Sequence, residues 1–313
     1  MTILVMLMET YNNDKDIINM GSIIDLLLEK SKMILSITLL FALASVIYAL
    51  SQNNIYKSHA TIYVEDPSGT KFSGGVSSGL SSLASIAGFS IDSGNKKEDK
   101  VQLVITMLKS YKLAENLLEY DEILPSLLAT KKIEKLTGEI IFNQKIYNSN
   151  LQKWLDKNGN FIPGPSAADI YKALGKSLKA SYSKRTGFLT VSFEHESPEF
   201  SRFLLQFILR NIDNSIRDRD ESDAKSAISF LKKELEIIET GELRAAVSAL
   251  IQSELQKIVL AKRDTTYIFK YIQPPFIPFE KDRPSRAMIS IMGTILGFII
   301  SCLISLFLNT RKS

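Results

Sequence analysis

Histidine and cysteine, the side chains that most often carry metal or nucleophilic chemistry, are scarce in this sequence. The 313 residues include two histidines and one cysteine. His195 and Glu196 begin like the zinc-binding helix of a metalloprotease, but Glu199 stands where that motif needs its second histidine. His59 is distant in the sequence, and Cys302 lies in an apolar run. The residue types therefore predict neither a zinc site nor a cysteine–histidine nucleophile.

A second partial motif is Gly175-Lys176-Ser177, which resembles the end of a phosphate-binding loop. The leading glycine of that loop would fall at position 170, where the sequence has Ile170, and the surrounding pattern is helical. The single tryptophan, Trp154, could stack on a sugar but is more typical of a packing residue. These patterns predict a protein that is not an enzyme and that takes no cofactor and no metal.

Two long apolar stretches lie near the two ends of the sequence. Charged side chains are missing from residues 33–56 and from residues 287–310. A helix of about 20 residues, rising about 1.5 Å per residue, spans the roughly 30 Å of bilayer hydrocarbon. We therefore expect transmembrane helices at 33–52 and 287–308. The alternative, two buried helices of a soluble core, is less favoured because both stretches are almost wholly apolar.

Basic residues predict the orientation of these spans. They flank both spans on the side of the chain termini, at Lys30, Lys32, Arg311 and Lys312. Lysine and arginine close to a span favour the cytoplasmic side, so residues 1–32 and 309–313 are predicted to be cytoplasmic. The opposite flank also carries Lys281, Arg283 and Arg286, which weakens the bias. Residues 53–286 would then lie outside the cytoplasm.

The charge of the chain and its cysteine content argue against nucleic-acid binding and against a disulfide-stabilised domain. The net charge of +4 is too small to indicate nucleic-acid binding. Because the single cysteine lies in the second span, the outer region has no disulfide and must rely on its own apolar core.

Strand and helix patterns alternate within residues 53–286. Tyr56 to Val64 and residues 186–195 have the alternation of half-buried strands, and Tyr267 to Gln273 also predicts a strand. Helical patterns cover residues 98–120 and 166–182, the second with Ser166 as its N-cap. This order predicts an α/β domain. Residues 68–94, rich in serine and glycine, fit either a flexible linker or a small packed apolar element.

A very long helix is predicted after the second strand. Ser197 and Pro198 form a helix start signal, and no proline follows until Pro274. A helix over residues 198–262 would be on the order of 100 Å long. Its apolar repeat slips by one residue beside Gly241, which marks either a bend or a break, and we favour the bend.

Prolines dominate the approach to the second span. They are Pro274, Pro275, Pro278 and Pro284. Because proline favours extended backbone of about 3.1 Å per residue, residues 274–284 predict a semi-rigid strut of roughly 30 Å between domain and membrane. Recognition of Pro275 and Pro278 as a PxxP ligand is the less favoured alternative.

The second span carries small residues at every fourth position. They are Gly293, Gly297, Ser301 and Ser305. Such a face lets a neighbouring helix approach closely, so it predicts helix association in the membrane.

Several segments taken together resemble the bacterial polysaccharide chain-length determinants, or polysaccharide co-polymerases, of the Wzz type. They are IIDLLLEKSKMIL before the first span, YKSHATIYVEDPSG after it, GLSSLASIAG, and ELRAAVSALIQSELQKIVLA followed by YIFK and PP. The resemblance covers nearly the whole chain, and its last part is the most specific.

The resemblance implies an inner-membrane homo-oligomer with a periplasmic α/β domain. Some relatives carry a cytoplasmic tyrosine kinase after the second span, and with five residues after Leu308 none is expected here. Its implied partners are copies of itself, a membrane glycan polymerase, lipid-linked polysaccharide and the lipid bilayer. Its implied role is to set the chain length of O-antigen or a related surface glycan. The alternative is a transmembrane adaptor or sensor for a separate cytoplasmic tyrosine kinase in capsule or exopolysaccharide export.

Overall fold

The computed structural model describes residues 28–65, 96–134, 137–263 and 266–310. Contacts divide the chain into two compact units. The helix-pair unit comprises residues 1–53 and 283–313, and the α/β unit comprises residues 54–282. The segment 68–94, for which two interpretations were open, lies outside the described residues.

Helices and strands alternate along the described residues. The helices are α1 (Ser31–Ser51), α2 (Lys96–Leu108), α3 (Tyr111–Leu118), α4 (Leu124–Leu128), α5 (Ala167–Ser177), α6 (Pro198–Ile237), α7 (Gly241–Arg263) and α8 (Arg286–Thr310). The strands are β1 (Tyr56–Val64), β2 (Thr130–Ile133), β3 (Ile140–Phe142), β4 (Tyr147–Asn148), β5 (Lys153–Leu155), β6 (Phe161–Ile162), β7 (Leu178–Ser183), β8 (Phe188–His195) and β9 (Phe269–Gln273).

The helix-pair unit consists of α1 and α8, which pack against each other. Both helices are long and apolar enough to cross a bilayer, α8 from Arg286 to Leu308. Most of their side chains are exposed rather than buried, among them Leu39, Leu43 and Phe298. A core helix of a soluble protein would be mostly buried, so the exposure favours lipid as the surrounding medium.

The α/β unit is built on a four-stranded sheet in the order β7-β8-β1-β9. All three strand pairs are antiparallel. Along β1 the residues Ser58, Ala60, Ile62 and Val64 are buried, whereas the alternate residues are partly exposed. The buried side chains join residues of α2, α3, α5 and the first half of α6 in one apolar core. The predicted strands and the mixed helix–strand composition are confirmed.

Two predicted helices are shorter than the sequence pattern indicated. The pattern over 98–120 is interrupted at Ser110, whose side-chain oxygen accepts a hydrogen bond from Leu113 N at 3.2 Å and so caps α3. The pattern over 166–182 begins at the predicted cap, Ser166, but its helix ends at Ser177. The next six residues form β7, because pairing with β8 satisfies their backbone groups in the sheet.

The prediction of one helix over residues 198–262 with a bend at Gly241 was wrong. Helix α6 has 40 residues, which is about 60 Å, and it ends at Ile237. The chain then turns, and α7 runs back along α6, since Lys262 Nζ lies 3.8 Å from Glu221 Oε1. The slip in the apolar repeat therefore marks a break. Two antiparallel amphipathic helices bury each other's apolar faces, which a single isolated rod cannot do.

A buried carboxylate fixes where the returning chain meets α6. Asp213 accepts hydrogen bonds from Tyr267 N and from Ile268 N, both at 2.8 Å. Arg217 NH2 lies 3.3 Å from the same carboxylate. Because both backbone donors are buried, their satisfaction by Asp213 ties the start of β9 to the side of α6.

Candidate functional site

The four small residues of the second span lie together on one face, and that face packs on α1 of the same chain. A methyl group added at Gly293 would lie 2.7 Å from Ser45 Oγ, and one added at Gly297 would lie 2.9 Å from Phe41 Cγ. The absence of side chains at both glycines is thus what allows α1 and α8 to approach.

The two serines continue this contact toward the other end of the helices. Ser301 Oγ lies 3.4 Å from Thr38 Oγ1, and Ser305 is fully buried. Lys30 Nζ donates to the carbonyl oxygen of Ser305 at 3.5 Å. The neighbour of the small-residue face is therefore the chain's own first span. Association of the same face with a second copy stays a prediction.

The prolines that precede the second span are divided between the two units. Pro274, Pro275 and Pro278 belong to the α/β unit, and Pro284 belongs to the helix-pair unit. Within the α/β unit Pro275 and Pro278 are buried, whereas Pro274 is exposed. Residues 274–282 thus pack on the domain at Pro275 and Pro278, while most of the other residues of the segment are exposed.

Three contacts hold this segment, residues 274–282, along the start of β1. Ser58 Oγ donates to the carbonyl oxygen of Phe276 at 2.8 Å, and the ring of His59 meets the ring of Phe276 edge-on at 4.7 Å. At the end of the segment, Asp282 N donates to Ile55 O at 2.8 Å. The proline-rich segment is therefore held to the domain at Phe276 and again at Asp282.

An open groove of about 820 Å³ lies between this segment and the outer face of the sheet. We call it the sheet groove. Two rows of paired residues, running across the strands, form the floor of the groove. In the first row His59 of β1 pairs with Ser192 of β8, and Ser192 pairs with Lys179 of β7. In the next row Thr190 of β8 pairs with Ser181 of β7. The floor thus presents polar side chains on the face opposite the apolar core.

Charged residues of both signs surround the sheet groove. Lys179 Nζ lies 2.8 Å from Glu194 Oε1, and the Glu194 side chain is only 5% exposed. Lys57 faces Glu194 across the ladder between β1 and β8. On the other wall the segment adds Glu280, Lys281 and Asp282 to the lining.

The rim of the groove carries the most exposed large apolar side chain of the described residues. Phe279 exposes 94% of its surface. It lies between the buried Pro278 and the anchor at Asp282, so the backbone that presents it is held at both sides. A single exposed apolar side chain is common on protein surfaces, so it is the position of Phe279 at the rim of the groove that makes it a candidate for contact with a ligand.

The histidine that opened the zinc-like motif lies on the core face, away from the groove. His195 accepts a hydrogen bond at Nδ1 from Ser197 N at 3.0 Å, so Nε2 donates to the carbonyl oxygen of Ser126 at 2.9 Å. Burial lowers the pKa of His195 to about 4, although both backbone hydrogen bonds act in the opposite direction. The imidazole is therefore neutral near pH 7 and acts in packing.

The described residues contain no group of three or more histidine, cysteine, aspartate or glutamate side chains that could hold a metal ion. Trp154 packs against Tyr147 with ring centroids 5.0 Å apart, which agrees with a packing role. Gly175 to Ser177 form the last turn of α5 rather than a phosphate-binding loop.

Sequence reasoning missed the residues of the sheet groove. The alternation along β1 and β8 identified which side chains face outward, but strand order and register were needed to bring Lys179, Ser192 and His59 into one row. Phe279 offered a signal, since an aromatic residue within a proline-rich segment is a candidate for exposure.

Comparisons with known proteins give a family match for one part of the sequence. Residues 16–120 match the family model described as Wzz, chain length determinant protein. A comparison with curated protein sequences gave no match.

The solved structures that resemble this chain include two polysaccharide co-polymerases. One is a "full-length bacterial polysaccharide co-polymerase", at 14% identity and a TM-score of 0.43, covering 95% of this chain and 98% of that one. The other is a "Fragment of WzzB, Polysaccharide Co-polymerase from Salmonella Typhimurium", at 18% identity and a TM-score of 0.30, covering 74% of this chain and 100% of that one. At TM-scores this low neither likeness supports an argument about this chain.

The fold defines a class of protein, an α/β domain bracketed in sequence by two apolar helices long enough to span a membrane. The family match is more specific. It covers residues 16–120 of the 313 and supports the resemblance to the Wzz chain-length determinants that was drawn from the sequence.

Proposed function

We propose that this protein regulates the chain length of a bacterial surface polysaccharide, O-antigen or a related glycan. It acts as a homo-oligomer in the inner membrane together with a membrane glycan polymerase, on lipid-linked polysaccharide. The observation that carries the proposal is the match of residues 16–120 to the chain-length-determinant family. Both apolar helices anchor it in the bilayer.

In this proposal the chain forms and breaks no covalent bond. Its α/β unit lies in the periplasm and both termini lie in the cytoplasm. Several copies arranged around the polymerase raise the effective concentration of polysaccharide-binding surfaces near the growing chain. The geometry of the assembly, rather than a catalytic group, then determines when the polysaccharide stops growing.

Deletion of the gene tests the proposal. We expect surface polysaccharide from the deletion strain, separated on a gel, to lose its preferred chain length while polymer is still made. Complementation with the intact gene should restore the preferred length. Complete loss of polymer would instead indicate an enzyme of glycan synthesis, and an unchanged length distribution would refute the proposed regulation.

A further inference from the structure

The sheet groove has a charge balance that disfavours strongly anionic ligands. Its lining contains Lys57, Lys179 and Lys281 together with the carboxylates Glu280 and Asp282. A third carboxylate, Glu194, is paired with Lys179 at 2.8 Å. Three lysines therefore face three carboxylates, and a phosphate group or a lipid headgroup would meet as much negative as positive charge.

The hydrogen-bonding groups of the groove suit a ligand that carries many hydroxyls. Ser181, Thr190 and Ser192 can each donate and accept, the lysines only donate, and the carboxylates only accept. A polyhydroxyl ligand also needs both kinds of partner, because every hydroxyl is donor and acceptor at once. Mixed lining of this kind fits sugar residues better than it fits an apolar ligand.

The exposed aromatic ring at the rim supplies the apolar part of such a site. The backbone of Phe279 lies between the contact of Phe276 with Ser58 and that of Asp282 with Ile55, so little backbone freedom is lost when a ligand packs on the ring. The C–H groups on one face of a sugar ring can pack on an aromatic ring. A groove open to solvent also admits a chain that extends beyond the site.

From these observations we propose that the sheet groove binds the polysaccharide chain itself, with Phe279 packing on a sugar ring and Thr190 and Ser181 bonding its hydroxyls. The identity of the glycan rests on the proposed function, whereas the class of ligand follows from the lining. The groove would give each subunit its own contact with the polymer whose length is regulated.

Binding to the full-length protein in nanodiscs tests this site. The probe is a set of short oligosaccharides released by mild acid from the host's own surface polysaccharide, followed by titration calorimetry. We expect the wild-type protein to bind them and Phe279→Ala to weaken binding about tenfold or more. The change Thr190→Val, which removes a hydroxyl at constant volume, should weaken binding severalfold.

The matched control is Phe161→Ala, which removes another exposed phenylalanine, 56% exposed, from β6 in a separate sheet. It should bind like the wild-type protein. Absence of binding by the wild-type protein, or equal binding by Phe279→Ala, would overturn the site. Loss of binding upon addition of inorganic phosphate would point to a headgroup site and overturn it too.

A change of particle mass in Phe279→Ala would show instead that a second copy covers this face, and it would also overturn the site. These outcomes are separate from the deletion experiment. If deletion abolishes the preferred chain length while Phe279→Ala binds normally, the groove proposal fails and the proposed function stands.

Discussion

At the scale of single residues, the neutral state of His195 makes the stability of the α/β unit depend on pH. Its pKa is about 4 in the folded protein, below the usual 6.5, because burial disfavours the imidazolium. A depressed histidine pKa stabilises the fold above pH 6.5, and this stability is lost as the pH falls toward 4. We expect a loss on the order of 3 kcal/mol across that window.

The measurement is denaturant unfolding of the full-length protein in detergent, followed by the fluorescence of Trp154, the single tryptophan. In His195→Gln the amide can keep both backbone hydrogen bonds but cannot titrate, so its stability should change less between pH 6.5 and 4. Burial raises the pKa of Glu196, which acts in the opposite sense and is present in both proteins. Equal pH dependence of the two proteins would contradict the assignment.

At the scale of elements, the break between α6 and α7 can be tested against the continuous helix that the sequence predicted. Glu221 and Lys262 are 41 positions apart, which is about 60 Å along one helix. In the helical hairpin their side chains lie 3.8 Å apart, and packed helix axes are about 8–10 Å apart. Spin labels at these positions, measured by dipolar spectroscopy, should therefore report a distance below about 20 Å.

The background for the labels should replace Cys302, the native cysteine, by alanine. A second label pair at Ser226 and Lys233, both exposed and both within α6, should give the same helical spacing in either arrangement and so serves as control. A distance near 60 Å between the labels at Glu221 and Lys262 would contradict the hairpin and support a continuous helix.

How far the elements could be predicted depends on whether local or distant contacts decide them. The strands of residues 56–64 and 186–195 and the cap at Ser166 were predictable, because alternation and capping are local. The hairpin of α6 and α7 was not, since its apolar repeat fits a bent rod as well as two packed helices. The strand β7 was hidden in a helical pattern, and only its pairing with β8 decides its conformation.

The pairing of α1 with α8 gives a second prediction at this scale. Gly297→Leu would place side-chain atoms where Phe41 now lies, so the two helices should separate. Cysteines at Thr38 and Ser301, whose hydroxyl oxygens are 3.4 Å apart, should form a disulfide readily in the protein that keeps Gly297. We expect the yield of this disulfide to fall severalfold in Gly297→Leu.

Both proteins in that comparison need Cys302→Ala, so that the second span holds no competing thiol. Leu296→Phe is the control, because it enlarges a side chain at an exposed position of the same helix. An equal yield in Gly297→Leu would show that the small-residue face does not determine the approach of α1.

At the scale of the whole molecule, the proposed topology follows from the number of spans and from the charges beside them. Two spans place both termini on one side whatever the orientation, and Lys30 and Lys32 favour the cytoplasm for that side. Single cysteines at Glu29 and Asn150, both exposed, mark the two sides of the membrane. A maleimide that cannot cross the inner membrane should label Asn150→Cys in outer-membrane-permeabilised cells but label Glu29→Cys only after lysis.

The same labelling tests a premise of the proposed function. A regulator that contacts a polymer growing outside the cytoplasm must display its α/β unit on that side, so Asn150→Cys has to react in unlysed cells. Both variants carry Cys302→Ala, which removes the native thiol. If Glu29→Cys reacts first and Asn150→Cys only after lysis, the sheet groove faces the cytoplasm and cannot meet the exported chain.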